Sequence, residues 1–145
     1  MENTTATLSF LHEYCMEVRD YECDMADGVN NAIYQNYLEH ARHQMLKENG
    51  IDYASLARAK IGLVILRSEI DYLKSLVSGD QFVVNTSMCR ISRLRFEFLQ
   101  DIVRTNDGAR IVKAKITGTC LSPKGRPALT PELEALLVKM CVPNK

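Results

Sequence analysis

Neither sign of charge is in excess in this chain of 145 residues, where 18 lysines and arginines face 18 aspartates and glutamates. A balanced chain has no global field to gather nucleic acid or an anionic membrane, so an anionic ligand must be met by a local cluster. No run approaches the roughly 20 apolar residues that span a bilayer, which argues against membrane insertion. The opening residues, MENTTATLSF, lack the basic start and long apolar run of a secretory signal. No C-x-x-C pair occurs, and the five cysteines, Cys15, Cys23, Cys89, Cys120 and Cys141, are odd in number and scattered. They read as reduced, mostly packed thiols, and the expected location is the cytoplasm. Repeats, low-complexity tracts and linkers are missing too, and at 46% hydrophobic the chain fits one domain over residues 1–145.

What is present is a strand and a long helix, then a series of strands. Residues 8–20 alternate, with Phe10, Tyr14, Met16 and Val18 on one parity and Glu13, Glu17 and Arg19 on the other, as in a half-buried strand. After a turn over 24–28, Ile33, Tyr34, Tyr37, Leu38, Ala41, Met45 and Leu46 recur at three- and four-residue steps until Asn49-Gly50 stops the helix. A short helix over 51–60, capped by Asp52, leads into strands predicted over 62–73, 81–92, 93–103 and 110–121. Ser78-Gly79-Asp80 and Asn106-Asp107-Gly108 supply turns, the latter a hairpin signal. Thr130-Pro131 opens a closing helix that runs to about Met140. One long helix across an antiparallel sheet is an α+β arrangement.

The chemistry concentrates where that helix begins. Asp24 precedes a glycine and two asparagines, and the unpaired N–H groups at Val29, Asn30 and Asn31, with the helix dipole behind them, are suited to charge developing on a carbonyl oxygen. The plain alternative is capping, because Asp is common before helices and Asp27 stands closer.

The segments VRDYE and VNNAIY, the turn SGDQFVV at 78–84, the strand SRLRFEF at 92–98 and the Arg126-Pro127 loop resemble hotdog-fold thioesterases of the 4-hydroxybenzoyl-CoA thioesterase superfamily. The likeness is greatest to plant acyl-lipid and methylketone-type acyl carrier protein thioesterases, and it covers nearly the whole chain. It implies a five- or six-stranded antiparallel sheet wrapped around the long helix, a homodimer or homotetramer with the thioester at a subunit interface, and no metal or other cofactor. The family spacing of Asp, nine residues, Tyr, two residues, an aromatic, one residue and an acid is met by Asp24, Tyr34, Tyr37 and Glu39. Asp24 thereby corresponds to the catalytic carboxylate, and the oxyanion amide maps near Asn31. Asp27 then becomes the expected helix cap, and is itself a departure from relatives that carry glycine or an apolar residue nearby.

Other residues keep two readings. The side chains of Asn30 and Asn31 suit helix initiation. Tyr34 and Tyr37 lie on the apolar stripe, where core or dimer packing competes with substrate contact. Glu39 faces either the active-site region or solvent. Arg93 and Arg95 share a parity and suit the phosphates of CoA or an acidic acyl carrier protein, or else form an ordinary strand edge, as do Arg90, Lys124 and Arg126. His40 and His43, at i and i+3, could in principle grip a metal, but the spacing is not HExxH, and with Arg42 and Lys47 they read better as a solvated face.

The expected activity is hydrolysis of an acyl thioester of CoA or acyl carrier protein, with a tilt toward fatty acyl chains. Asp24 would act as general base or as nucleophile. A hotdog dehydratase or hydratase pairs its Asp with a nearby His, whereas here none follows Asp24 until His40. A non-catalytic acyl-binding protein is the other alternative, and Asp24 at its spacing is what argues against it.

Overall fold

The computed structural model describes residues 12–25 and 27–140. In chain order it holds β1 (His12–Glu17), a 3-10 turn (Asp20–Glu22), α1 (Asn31–Glu48), α2 (Tyr53–Arg58), β2 (Gly62–Tyr72), β3 (Gln81–Arg90), β4 (Phe96–Arg104), β5 (Arg110–Leu121) and α3 (Pro131–Met140). The strands form one antiparallel sheet in the order β1-β3-β4-β5-β2, so the two edges are β1 and β2. The expected start of the first strand, with Phe10, and Cys141 lie outside the described residues.

Period-two alternation builds the inner face of the sheet. Phe82, Val84, Thr86 and Met88 of β3 and Phe96, Phe98, Gln100 and Ile102 of β4 are all buried, while their neighbours face the other way. Tyr34, Tyr37, Leu38, Ala41 and Met45 of α1 pack onto that face, each 2% exposed or less. The core therefore sits between one helix and the middle of the sheet. Leu133, Leu136 and Leu137 of α3 extend it.

Three expectations need correction. The first strand ends at Glu17, because residues 20–22 wind into a 3-10 turn instead of extending. The strand predicted from 93 begins at Phe96, and Arg93 and Arg95 lie in the turn between β3 and β4, closed by the amides of Ile91 and Ser92 donating to Arg95 O at 3.0 and 3.3 Å. Arg42 is not on a solvated face. It is 8% exposed, donates from Nη1 to Gln100 Oε1 at 3.1 Å and lies 5.6 Å from the Phe98 ring centroid. Its position one turn beyond Leu38 carries its long stem under the helix, where β4 offers an acceptor. Burial lowers its pKa to about 10.

Among the described residues no helix is long and apolar enough to cross a membrane.

Candidate active site

The segment entering α1 is a small closed loop. Cys23 and Val29 form an isolated antiparallel bridge, Asp24 N donates to Gly28 O at 3.0 Å, and Asp27 N donates to Asp24 O at 3.0 Å. These bonds hold the loop shut at its base, and they leave the Asp24 side chain exposed. Asp27 takes φ 70°, a left-handed conformation, and is exposed at the loop tip.

Asp27 does not cap the helix. Asn30 does, with its Oδ1 accepting from Ala32 N at 2.9 Å and its carbonyl accepting from Ile33 N at 2.9 Å. The cap must occupy the extended residue just before the first helical one, and the left-handed turn at Asp27 puts it three residues too early.

The expected trio of amides is reduced in the same way. Val29 N donates to Leu76 O at 2.9 Å and Asn30 N donates to Glu22 O at 3.1 Å, so neither is open to a ligand. Asn31 N has no acceptor among the described residues. It is the first N–H of an 18-residue helix, where the dipole adds partial positive charge. One open amide therefore leads the helix, seven residues after an exposed carboxylate.

Glu22 carries a role that periodicity concealed. Its carboxylate is 7% exposed and takes four contacts: Arg19 N at 2.8 Å and Tyr37 Oη at 2.7 Å on Oε1, Arg19 Nε at 3.1 Å and Arg19 Nη2 at 2.8 Å on Oε2. Burial alone would raise its pKa, yet the hydrogen bonds from Arg19 and Tyr37 outweigh that and hold it below the ordinary glutamate value. The same burial, with the adjoining carboxylate, raises the Tyr37 pKa, so the phenol stays protonated and donates. The local signal was Arg19 three residues before Glu22; the decisive partner, Tyr37, is 15 residues away and invisible to spacing rules.

Beside this cluster a cavity of about 880 Å³ opens between β1 and α1, lined by Met16, Arg19, Glu22, Ile33, Tyr37 and His40, among others. Its size is that of a pocket for a small molecule or cofactor. It starts two residues past Asn31. A narrower groove of about 230 Å³ runs on the other side of α1, between Leu38, Glu39 and Arg42 and the strand residues Ile65, Ser68 and Ile70.

The remaining candidates divide. Tyr34 is 2% exposed and its hydroxyl accepts from Leu76 N at 2.9 Å, which braces the 75–80 turn against α1 and keeps the ring from solvent. Glu39 is exposed, lines both cavities, and lies 4.0 Å from His43 Nε2. Arg93 and Arg95 are exposed at the far end of the sheet. The ten residues of β3 separate them from the 78–80 turn beside Asp24's loop, roughly 30 Å at about 3.3 Å per residue, so one protomer does not bring them to Asp24. His40 Nε2 bonds Tyr14 Oη at 3.2 Å, and His43 stacks on Tyr53.

Comparison with known proteins gives this geometry a context. The profile of the thioesterase-like superfamily matches residues 18–137. An acyl-acyl carrier protein thioesterase of Arabidopsis thaliana, ATL2, is 39% identical over 120 residues, 83% of this chain and 64% of that protein. The chain thus spans just under two thirds of that plant relative. The long-chain acyl-CoA thioesterase FadM of Escherichia coli is 29% identical over 119 residues, 82% of this chain and 89% of FadM. Among solved structures, a 1,4-dihydroxy-2-naphthoyl-CoA thioesterase from Synechocystis superposes with a TM-score of 0.83 at 18% identity, covering 90% of this chain and 98% of that one. The fold is the hotdog fold.

Proposed function

The chain belongs to the thioesterase-like superfamily, and from that membership we propose that it hydrolyses an acyl thioester of CoA or of an acyl carrier protein to a free carboxylic acid and a thiol. The observation that carries the reading is an exposed carboxylate, Asp24, on a loop folded back onto a helix whose leading amide, Asn31 N, is open. The thioester carbonyl oxygen would accept from that amide, which the helix dipole makes a better donor as negative charge builds. Asp24 would either take a proton from an attacking water or attack the carbonyl carbon itself, breaking the C–S bond and releasing the thiolate to form an anhydride that water then opens. The names of the plant and bacterial relatives support fatty acyl groups as the substrate class.

The working unit in this reading is a dimer. Asp24 is open to solvent, and a thioester bound there needs a second wall to exclude water. The edge strand β2 is 11 residues long and exposes Ile65, Leu66 and Tyr72 by 39 to 46%, the kind of apolar edge that proteins cover. A second copy meeting that edge would close the groove between α1 and β2 and complete the site.

The test is thiol release from a panel of acyl-CoA and acyl carrier protein substrates. Asp24→Asn is expected to lower kcat by at least 100-fold, while Asp27→Asn stays close to the native rate. The reverse pattern would move the catalytic carboxylate to Asp27. Tight binding of acyl thioesters without thiol release would replace hydrolysis with an acyl-binding role.

A further inference from the structure

We propose that Glu22 is the positioning residue of this site: its carbonyl and its carboxylate together fix the Asp24 loop to α1, so that Asp24 and the Asn31 amide address one reacting carbonyl. The kinetic part of the proposal rests on the thioesterase reading above, whereas the structural part does not.

Glu22 is a junction between two elements that carry the two halves of the chemistry. Only Cys23 separates it from Asp24. Its carbonyl accepts from Asn30 N, the residue that caps α1, at 3.1 Å. Its Oε1 accepts from Tyr37, nearly two turns into α1, at 2.7 Å. The loop is thus held to the helix at the cap and again further along, and two points fix a direction where one would leave a pivot.

Other bonds among the described residues of the loop are internal to it or point elsewhere. Asp24 N to Gly28 O, Asp27 N to Asp24 O and the Cys23 and Val29 bridge shape the loop without orienting it, and Val29 N reaches the strand-connecting segment at Leu76 O. Glu22 supplies the link to the helix from the strand side of the loop.

The cluster is also costly in a way that a purely packing residue would avoid. A carboxylate 7% exposed loses most of its hydration, and an apolar side chain would fill the same space without that loss. What the carboxylate adds is direction. Both oxygens are saturated by donors from two elements, Arg19 and Tyr37, so the group has one satisfied geometry. The neighbouring acids Asp20, Asp24 and Asp27 are exposed. Glu22, Arg19 and Tyr37 also line the cavity of about 880 Å³ between β1 and α1.

The experiment uses Glu22→Gln and Tyr37→Phe in the full chain, with hydrogen exchange of peptides over residues 23–30 and steady-state kinetics on a long-chain acyl-CoA. Both variants are expected to exchange faster over 23–30 and unchanged over β4, and to lose kcat by on the order of 10- to 100-fold with KM little altered, the cost of a misplaced reacting group. The double variant is expected to be no worse than the more impaired single one, since both changes open the same junction. Unchanged exchange over 23–30 overturns the proposal whether or not the protein cleaves thioesters, and faster exchange with undiminished kcat overturns it as well. If the native protein releases no thiol, the functional reading fails and the exchange data alone decide whether Glu22 holds the loop. Should Glu22→Gln not fold, Tyr37→Phe, which removes one hydroxyl, carries the test.

Discussion

Single residues at the mouth of α1 divide by what their backbone can do. Asp24, Asp27 and Asn30 are all short side chains able to cap a helix. Asn30 became the cap because its amide is held by Glu22 O and its φ and ψ are extended, while Asp27 is committed to a left-handed turn. A second turn shows how a local charge pair sets pH dependence. Asp107 accepts from Arg104 Nε and Nη2 at 3.0 Å each and from Ala109 N at 3.0 Å. The Arg104 hydrogen bonds lower its pKa from 3.8 to about 2. A depressed carboxylate pKa stabilises the fold above the unfolded value and loses that contribution as pH falls through the folded one. Asp107→Asn is therefore expected to melt below the native protein at neutral pH, with the difference shrinking as pH is taken from about 4 to about 2. A gap independent of pH would remove the ion pair from the explanation.

Among the elements, β5 shows why one strand position tolerates no side chain. Gly118 pairs with Phe96 on one side and Ile65 on the other. A Cβ there would stand 2.8 Å from Phe96 Cε1 and 2.9 Å from Val64 O, and the backbone oxygen cannot step aside. Gly118→Ala is expected to destabilise by about 1–3 kcal/mol, the usual cost of overpacking a filled core, measured by urea unfolding. Stability equal to the native protein would mean that β2 can shift away. The strand boundaries expose a limit of pattern reading at the same scale. Alternation through Leu94, Phe96 and Phe98 suggests a strand from 93, yet the β3 to β4 turn runs through Ile91, Ser92, Arg93 and Leu94 with no glycine, proline or asparagine to mark it. The 106–108 turn, which has both Asn and Gly, was legible at once.

For the molecule as a whole, the two sheet edges differ. β2 presents exposed apolar side chains and a register shift between Ile65 and Arg67, and the proposed dimer would cover it. Leu66→Lys is expected to shift sedimentation toward the monomer and to lower turnover in parallel, with the protomer's circular dichroism unchanged. A monomer with full turnover would sink the two-subunit site. The cavity of about 880 Å³ lies along the β1 side of α1, the groove that a partner copy would close lies along its β2 side, and Glu39 lines both.

The sequence by itself determined the α+β class, α1 with its stop at Asn49-Gly50, β5 to the residue, and the acid before the helix, because periodicity, turn chemistry and capping residues act over a few neighbouring positions. Tertiary structure decided which of Val29, Asn30 and Asn31 keeps an open amide, that Arg42 and Glu22 are buried charges, and that Arg93 and Arg95 sit far from Asp24. Each of those depends on a partner distant in the chain, Leu76 for Val29, Gln100 for Arg42 and Tyr37 for Glu22. A hydrogen-bonding group takes whichever acceptor or donor the fold brings within about 3 Å, and no local spacing records that choice.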